Sequence, residues 1–309
     1  MAPETRERVL RAIRETGYRP NRIARALARG TTTTVALIAP NLGNPFVAAL
    51  VQEIERIAFS RDAVLLVGDS MDDPDIEQSL VESMLAQQVS GITWYGVDQP
   101  LPLSGYDFGD VPVVLLNQPV GVALPTGTPS LSCVDVDEVG QGFAAAEHLL
   151  GHGRTRIAHI AGPAGRLNSR ARAQGVSDAL AVAGIAPVAV ADGPFTEYGG
   201  HQAFQQILRA RPDAVVTSNE RQAFGVLRAA AEAGVRVGSE VAVIAINGTW
   251  RAEYATPSLA MISQPITEIA RLAVEQMLDA GGSARRLAVA TTLVGAESCG
   301  CVPIAGTAP

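Results

Sequence analysis

Polar and aromatic side chains recur directly after the apolar segments of this sequence, and their types suit hydrogen bonding to a small polar molecule. The set comprises Asn41, Asn44, Phe46, Asn117, Ser169, Arg170, Arg172, Phe195, Asn219 and Asn247. Amides form paired hydrogen bonds with hydroxyls, and an aromatic face covers the apolar side of a sugar ring. Asparagine and serine also follow strands simply as helix caps and turn residues, so each residue alone keeps both interpretations.

Residues with catalytic or metal-ligating potential form no known signature. The sequence has no G-x-S-x-G, G-x-x-x-x-G-K-[ST] or strand-following G-x-G-x-x-G segment. His148 and His152 are four residues apart, but the H-E-x-x-H order is absent and Gly151 favours a helix end there. Cys299 and Cys301 have no neighbouring His or Cys in the sequence, and a closed metal site needs more ligands. We therefore predict no enzymatic activity, no cofactor and no bound metal.

Four acidic residues in the segment GDSMDDPD have two interpretations. Asp69, Asp72, Asp73 and Asp75 supply oxygens that suit a cation, and they equally suit a loop that leads into a helix N-terminus. We favour the loop.

Short apolar runs alternate with longer amphipathic stretches along most of the chain. The predicted strands are 35–40, 63–69, 91–97, 111–117, 156–163, 187–193, 214–219, 241–248, 259–265 and 287–295. The predicted helices are 45–60, 74–88, 168–183, a segment from 198, 220–234 and 266–280. Near-continuous apolar strands are typical of parallel sheets that are buried on both faces. The sequence therefore predicts an α/β fold with two doubly wound parallel-sheet domains.

The last elements cannot form a third domain, so we expect them to cross back between the first two. The predicted boundaries are residues 31–154 plus 265–284 for the first unit and 155–264 plus 285–309 for the second. Parallel sheets bind ligands beyond the carboxyl ends of their strands. Two such sheets that face each other would form a binding cleft.

Composition is ordinary for a globular protein: 309 residues, 47% hydrophobic and 18% charged. The N-terminus lacks a signal-peptide core, no apolar run reaches the length of a membrane helix, and three cysteines do not make a disulfide framework. We expect a cytoplasmic protein without membrane contact.

The N-terminal segment differs sharply in charge from the rest of the chain. Residues 1–30 carry a net charge of +5, whereas the whole chain carries −7. We predict a helix that begins near Pro3 and ends at Gly17, followed by a second short helix in RIARALARG. Two short basic helices cannot bury a core alone.

The chain resembles the lactose-repressor (LacI/GalR) family of bacterial transcription regulators from about residue 2 to 303. The matching segments are PETRERVLRAIRETGYRPNRIARAL, VALIAPNLGNPFVAAL, AAAEHLLGHGRTRIAHIAGP, SRARAQG, NERQAFGVLRAAAEAGVRV and PSLAMISQP. The resemblance implies two periplasmic-binding-protein-like domains, preceded by a helical DNA-binding headpiece and a hinge helix. Family members begin with two further helices, so residues 1–30 would be a partial headpiece and hinge.

In the family, the hinge orders on DNA and inserts a leucine into the minor groove, which kinks the duplex. The resemblance makes Leu27 that leucine. The other implied DNA contacts, chiefly to phosphates, are Arg19, Asn21, Arg22, Arg25 and Arg29.

The resemblance also implies which residues bind the effector. Phe46, Val47, Asn117, Phe195 and Asn219 match lining positions, and Arg172 matches an arginine that clamps the ligand. Asn247 stands where the family usually has an aspartate, so a ligand that demands an anionic acceptor is disfavoured.

These expectations together predict a homodimeric transcription regulator that is controlled by a small, sugar-like effector in the cleft. We expect the chain as given to bind operator DNA only weakly. The alternative is a periplasmic-type sugar receptor that does not bind DNA. The basic N-terminal segment favours the regulator.

Overall fold

The computed structural model describes residues 3–16, 34–96, 103, 106–116, 131–279 and 285–301. The strands are β1 Thr34–Ala39, β2 Val64–Asp69, β3 Ile92–Tyr95, β4 Val113–Leu116, β5 Leu131–Val136, β6 Ile157–Ala161, β7 Ala189–Asp192, β8 Ala214–Thr217, β9 Ala242–Gly248, β10 Ala260–Ser263, β11 Arg285–Val289 and β12 Thr292–Val294. The helices are α1 Pro3–Thr16, α2 Pro45–Ser60, α3 Pro74–Ala86, α4 Glu138–Gly151, α5 Leu167–Val182, α6 Glu197–Ile207, α7 Glu220–Glu232 and α8 Ile266–Leu278. Short 3₁₀ helices cover Leu208–Ala210, Trp250–Tyr254 and Glu297–Cys299.

The strands form two six-stranded sheets. The order is β11-β5-β4-β3-β1-β2 in the first sheet and β12-β10-β9-β8-β6-β7 in the second. Every pair in the first sheet is parallel, and in the second sheet only β12 runs antiparallel to its neighbour β10. This arrangement confirms the predicted pair of doubly wound sheets.

Helices cover both faces of each sheet, as parallel strands require. On the first sheet, α2 and α8 bury one apolar cluster and α3 buries the other. On the second sheet, α6 and α7 cover one face while α4 and α5 cover the other. The first sheet with its helices is called the N-subdomain below, and the second is called the C-subdomain.

Two predicted domain boundaries are wrong. The first unit is predicted to extend to residue 154, but Ala145, Ala146 and Leu149 of α4 pack into the C-subdomain core, so the first crossing lies next to Asp137. The segment after residue 285 was expected wholly in the second unit, but β11 pairs with β5 along its full length. The predicted strand 287–295 is in fact two strands in different sheets, and the chain crosses between them.

Strand β5 was missed by the sequence analysis. Its residues LSCVDV include Ser132 and Asp135, which interrupt the apolar pattern, although all six residues are buried. The structure provides partners for both polar groups: Gln276 accepts from Ser132, and Arg286 donates to Asp135. A paired polar residue inside a strand leaves no apolar signature in the sequence.

The N-terminal helix α1 has the predicted bounds. The predicted hinge, with its DNA-contacting residues 19–29, lies outside the described residues. Within the described part of the chain, no helix combines the length and apolar character that a membrane crossing requires.

Candidate functional site

A cavity of about 240 Å³ lies between the two subdomains, at the carboxyl ends of their strands. In each sheet the strand order reverses there, between β1 and β3 and between β6 and β8. Such reversals leave a crevice that parallel sheets use for ligands. Its lining residues are Pro40, Asn41, Asn44, Val47, Asp72, Tyr95 and Gly96 from the N-subdomain, and Pro163, Arg166, Leu167, Asn168, Pro194, Phe195, Thr196 and Arg221 from the C-subdomain.

Several strand-end residues prove to be helix caps. Asn44 Oδ1 accepts from Phe46 N at 3.1 Å, and Asn219 Oδ1 accepts from Gln222 N at 2.8 Å. Asp73 caps α3 in the same way, so the favoured loop interpretation of the acidic segment holds for this residue. Capping does not exclude a binding role, since Asn44 also lines the cavity.

A polar contact crosses the cleft through Asp72. Its two carboxylate oxygens accept from Arg166 Nη2 at 2.8 Å and from Asn41 Nδ2 at 2.9 Å. Arg166 belongs to the C-subdomain, whereas Asp72 and Asn41 belong to the N-subdomain. Met71 and Asp72 hold positive φ angles of 52° and 61° in the turn that carries this carboxylate. We call the three side chains Asn41, Asp72 and Arg166 the cleft bridge.

Phe195 forms an aromatic wall of the cavity. Its ring packs directly against Gly162, where an added Cβ would overlap the ring. The carbonyl oxygen of Phe195 accepts from Asn219 Nδ2 at 3.3 Å. Asn219 is therefore a positioning residue beneath the wall, rather than a lining residue.

Arg172 lies below the cavity in a buried ion pair. Its Nε and Nη2 donate to the two carboxylate oxygens of Glu138 at 2.6 and 3.0 Å, and its Nη1 donates to the carbonyl of Ser218 at 2.6 Å. The side chains of Arg172 and Glu138 are 2% and 4% exposed. Burial alone would lower the pKa of Arg172, but the Glu138 carboxylate outweighs burial and raises it.

The ion pair continues into a second buried polar contact. Ser218 Oγ lies 3.1 Å from Nε2 of His159, which is in the middle of β6. Burial lowers the pKa of His159 to about 4, because a charged imidazole would lose its hydration there. One buried polar chain thus runs through Glu138, Arg172, Ser218 and His159. We call these four residues the cleft floor.

The remaining predicted effector-binding residues fall in different places. Val47 lines the cavity, whereas its neighbour Phe46 is buried in the N-subdomain core. Asn247 is the second-last residue of β9 and has a φ of 59°, a left-handed conformation that asparagine tolerates. Its Oδ1 is buried and has no hydrogen-bond partner among the described residues. Asn117 lies outside the described residues.

The sequence analysis missed Tyr95, Arg166 and Arg221, and for Asp72 it weighed a cation site against a loop and favoured the loop. Tyr95 is the last residue of β3. The other candidates were chosen because they are polar or aromatic residues at strand ends, and Tyr95 meets the same criterion. Burial raises the pKa of Tyr95 to about 12, so its hydroxyl stays protonated and is able to donate. Arg166 and Asp72 are 94 residues apart in sequence, and only the fold brings them together.

Comparison with known proteins defines the class of this molecule. Residues 146–299 match the family described as Periplasmic binding protein-like domain. The HTH-type transcriptional regulator CelR of Thermobifida fusca is 34% identical over 96% of this chain and 90% of its own length. The HTH-type transcriptional repressor CytR of Escherichia coli K12 is 29% identical over 89% of this chain and 80% of its own.

Two solved structures are similar over nearly the whole chain. A CelR–cellobiose complex has a TM-score of 0.74 at 32% identity and covers 96% of this chain and 91% of its own. The Lac repressor bound to ONPG has a TM-score of 0.83 at 25% identity, with the same coverage.

The fold and cleft are therefore those of a periplasmic-binding-protein-like ligand-binding unit. The chain belongs to the LacI/GalR family of transcriptional regulators. Its relatives are regulators, which favours the predicted regulator over a stand-alone sugar receptor.

The buried ion pair predicts a large stability effect at Arg172. Arg172→Ala leaves the Glu138 carboxylate buried without its main partner, so we expect the free energy of unfolding to fall by about 3–5 kcal/mol. Urea denaturation measures this change. Arg170→Ala is the matched control on the same helix, because Arg170 is exposed and donates only to two loop carbonyls. Equal stability of the two variants would contradict the structural role of the pair.

His159 predicts a specific pH dependence of stability. The unfolded chain takes up a proton on this residue near pH 6.5, whereas the folded chain takes it up only near pH 4. The unfolded state binds more protons in that window, so stability falls by up to about 3 kcal/mol as the pH drops from 6.5 to 4. In His159→Gln, the free energy of unfolding should depend less on pH between 6.5 and 4. If urea denaturation gave the same pH dependence for wild type and His159→Gln, the prediction would be contradicted.

Proposed function

We propose that the effector of this regulator is a sugar or a closely related polyhydroxylated molecule that binds in the cleft. The observation that carries this proposal is the mixture of groups around the cavity. Phe195 and Tyr95 offer aromatic surface, while amide, carboxylate and guanidinium groups approach from both subdomains. Such a combination suits a ring with one apolar face and hydroxyls at its edge. The CelR complex with cellobiose supports a disaccharide as the first candidate.

Four predicted residues keep roles in this proposal. Phe195 covers the apolar face of the ring, and Val47 closes the opposite wall. Asn247 Oδ1 is a buried acceptor without a partner among the described residues, so it is suited to a ligand hydroxyl that penetrates to the end of β9. Arg172 acts indirectly, because its bond to the Ser218 carbonyl holds the loop after β8. Phe46 and Asn219 support the walls rather than touch the ligand.

Regulation follows from the position of the cavity between two bodies. A ligand that contacts both subdomains favours the arrangement in which they approach, and the cleft bridge stabilises the same arrangement. We propose that this closure changes how residues 19–29 contact operator DNA in a homodimer. The structure of a Lac repressor dimer bound to operator supports the dimeric assembly. This role requires binding and closure, with no chemical step, and would be carried out in the cytoplasm.

The effector proposal is tested by calorimetry against cellobiose, other disaccharides and nucleosides. We expect at least one sugar to bind. Phe195→Ala should lower the affinity for that sugar by about tenfold or more, because the sugar ring loses the aromatic surface that covers its apolar face. Phe59→Ala is the matched control, since Phe59 is 78% exposed on α2 and far from the cavity lining. Binding of nucleosides alone, or unchanged sugar affinity in Phe195→Ala, would overturn the proposal.

The cleft bridge gives a separate prediction about closure. Arg166→Asp places two carboxylates opposite each other, so we expect weaker effector binding by about fivefold and a more open average shape in solution scattering. The double variant Asp72→Arg/Arg166→Asp restores opposite charges across the cleft and should recover much of the lost affinity. Failure of the charge swap to recover affinity would show that Arg166 acts by another contact.

A further inference from the structure

Two histidines and two cysteines that are about 150 residues apart in sequence meet at the surface of the C-subdomain. His148 and His152 lie at the C-terminal end of α4, and Cys299 and Cys301 lie in the turn after β12. The whole chain has only four histidines and three cysteines. The sequence analysis judged each pair alone and predicted no bound metal. The fold supplies the neighbours that the sequence separates.

The distances within this cluster are those between ligands of one metal ion. His148 Nε2 lies 3.3 Å from Cys299 Sγ and 3.8 Å from Cys301 Sγ, and His152 Nε2 lies 3.3 Å from Cys301 Sγ. Zinc binds imidazole nitrogen at about 2.0–2.1 Å and thiolate sulfur at about 2.3 Å, so tetrahedral N and S ligands are about 3.6 Å apart. The observed distances fall on both sides of this value.

We propose that His148, His152, Cys299 and Cys301 form a zinc site. Ligand atoms of His148, His152 and Cys301 already lie within 4.8 Å of one another and define three corners of the site. Cys299, in contact with His148, supplies the fourth corner. A tetrahedral set of two nitrogens and two sulfurs favours zinc over the harder cations that prefer oxygen.

Local structure explains why each pair presents both ligands on one side. Residues four apart on a helix lie one turn above each other, and the rings of His148 and His152 have centroids 4.6 Å apart. Gly300 separates the cysteines with a φ of 88°, a left-handed conformation that favours glycine. The chain reverses there, and both sulfurs face the end of α4.

Cys299 Sγ donates to the carbonyl of Ala296 at 3.1 Å, and the cysteine turn is also held in place by bonds that do not involve sulfur. Ser298 Oγ donates to the carbonyl of Val243 at 2.7 Å and accepts from Ala260 N at 2.8 Å. Glu297 accepts from Ser258 N at 2.8 Å. A scaffold that is rigid without the metal lowers the ordering cost of binding. The ion would then connect α4 to the C-terminal turn.

Zinc binds histidine as neutral imidazole and cysteine as thiolate, so uptake of the ion must release the thiol protons. As two Zn–S bonds form, two S–H bonds break and two protons pass to solvent, without oxidation or reduction. We therefore expect zinc affinity to rise with pH.

The test uses the full chain without a histidine tag, purified under reducing conditions. The protein is equilibrated with zinc sulfate, desalted and analysed by elemental mass spectrometry, and we expect one zinc per chain. His152→Ala and Cys301→Ser should each reduce the zinc content at least tenfold. His152 is exposed and Cys301 is only partly buried, so neither change should disturb folding, which circular dichroism verifies. His201→Ala and Cys133→Ala are matched controls outside the cluster and should retain zinc.

Cobalt gives an independent measure of the ligand set. Cobalt-loaded wild type should show a sulfur-to-metal charge-transfer band in the near ultraviolet, and Cys301→Ser should lose or strongly weaken it. A chelator should lower the Tm of wild type by about 5 °C and leave that of Cys301→Ser unchanged. Absence of zinc in reduced wild type, or zinc retained in both variants, would overturn the proposal. The proposal would also be overturned if the purified protein contained a Cys299–Cys301 disulfide and bound no zinc after that disulfide was reduced.

Discussion

The buried pair between Arg172 and Glu138 is the contact on which the geometry of the cleft floor depends. Glu138 is the first residue of α4, directly after the chain enters the C-subdomain, and Arg172 reaches it from α5. The same guanidinium fixes the carbonyl of Ser218 at the end of β8. The helices approach closely enough for this contact because Gly142 and Gly175 lie at their interface, where a Cβ would overlap the backbone of the opposite helix. Glycine spacing, ion pair and floor are therefore one structural unit.

The walls of the cleft follow from sheet topology more than from individual residues. The strand order reverses at equivalent places in both sheets, so loops of opposite subdomains meet at the cleft. Helix caps then fix those loops: Asn44 and Asn219 use their side chains on backbone amides, and Asn219 also holds the carbonyl of Phe195. A residue that caps a helix and one that binds a ligand thus share the same strand-end positions, which is why residue type alone does not separate the two roles.

The sequence predicts what is encoded locally and misses what depends on distant partners. Strands such as β1 and β8 were predicted because their residues are apolar on both faces. Strand β5 was missed because its polar residues become acceptable only beside Arg286 and Gln276, some 150 residues away. Resemblance placed Phe195 and Val47 at the cavity, where the structure has them, but the pairing of Arg172 with Glu138 required the fold. The sequence analysis considered the His pair and the Cys pair separately. It did not predict that they meet, because about 150 residues separate them in the sequence.

The weakness of the cleft bridge has a consequence for regulation. The Arg166 and Asp72 side chains are 22% and 45% exposed, and such pairs contribute about 0–1 kcal/mol. That energy shifts an equilibrium between open and closed forms by about fivefold at most, whereas inverting it from 1:99 to 99:1 requires about 5.5 kcal/mol. The difference must come from an effector that touches both subdomains. Because the contact across the cleft is weak, the balance between the open and closed forms depends on whether the effector is bound.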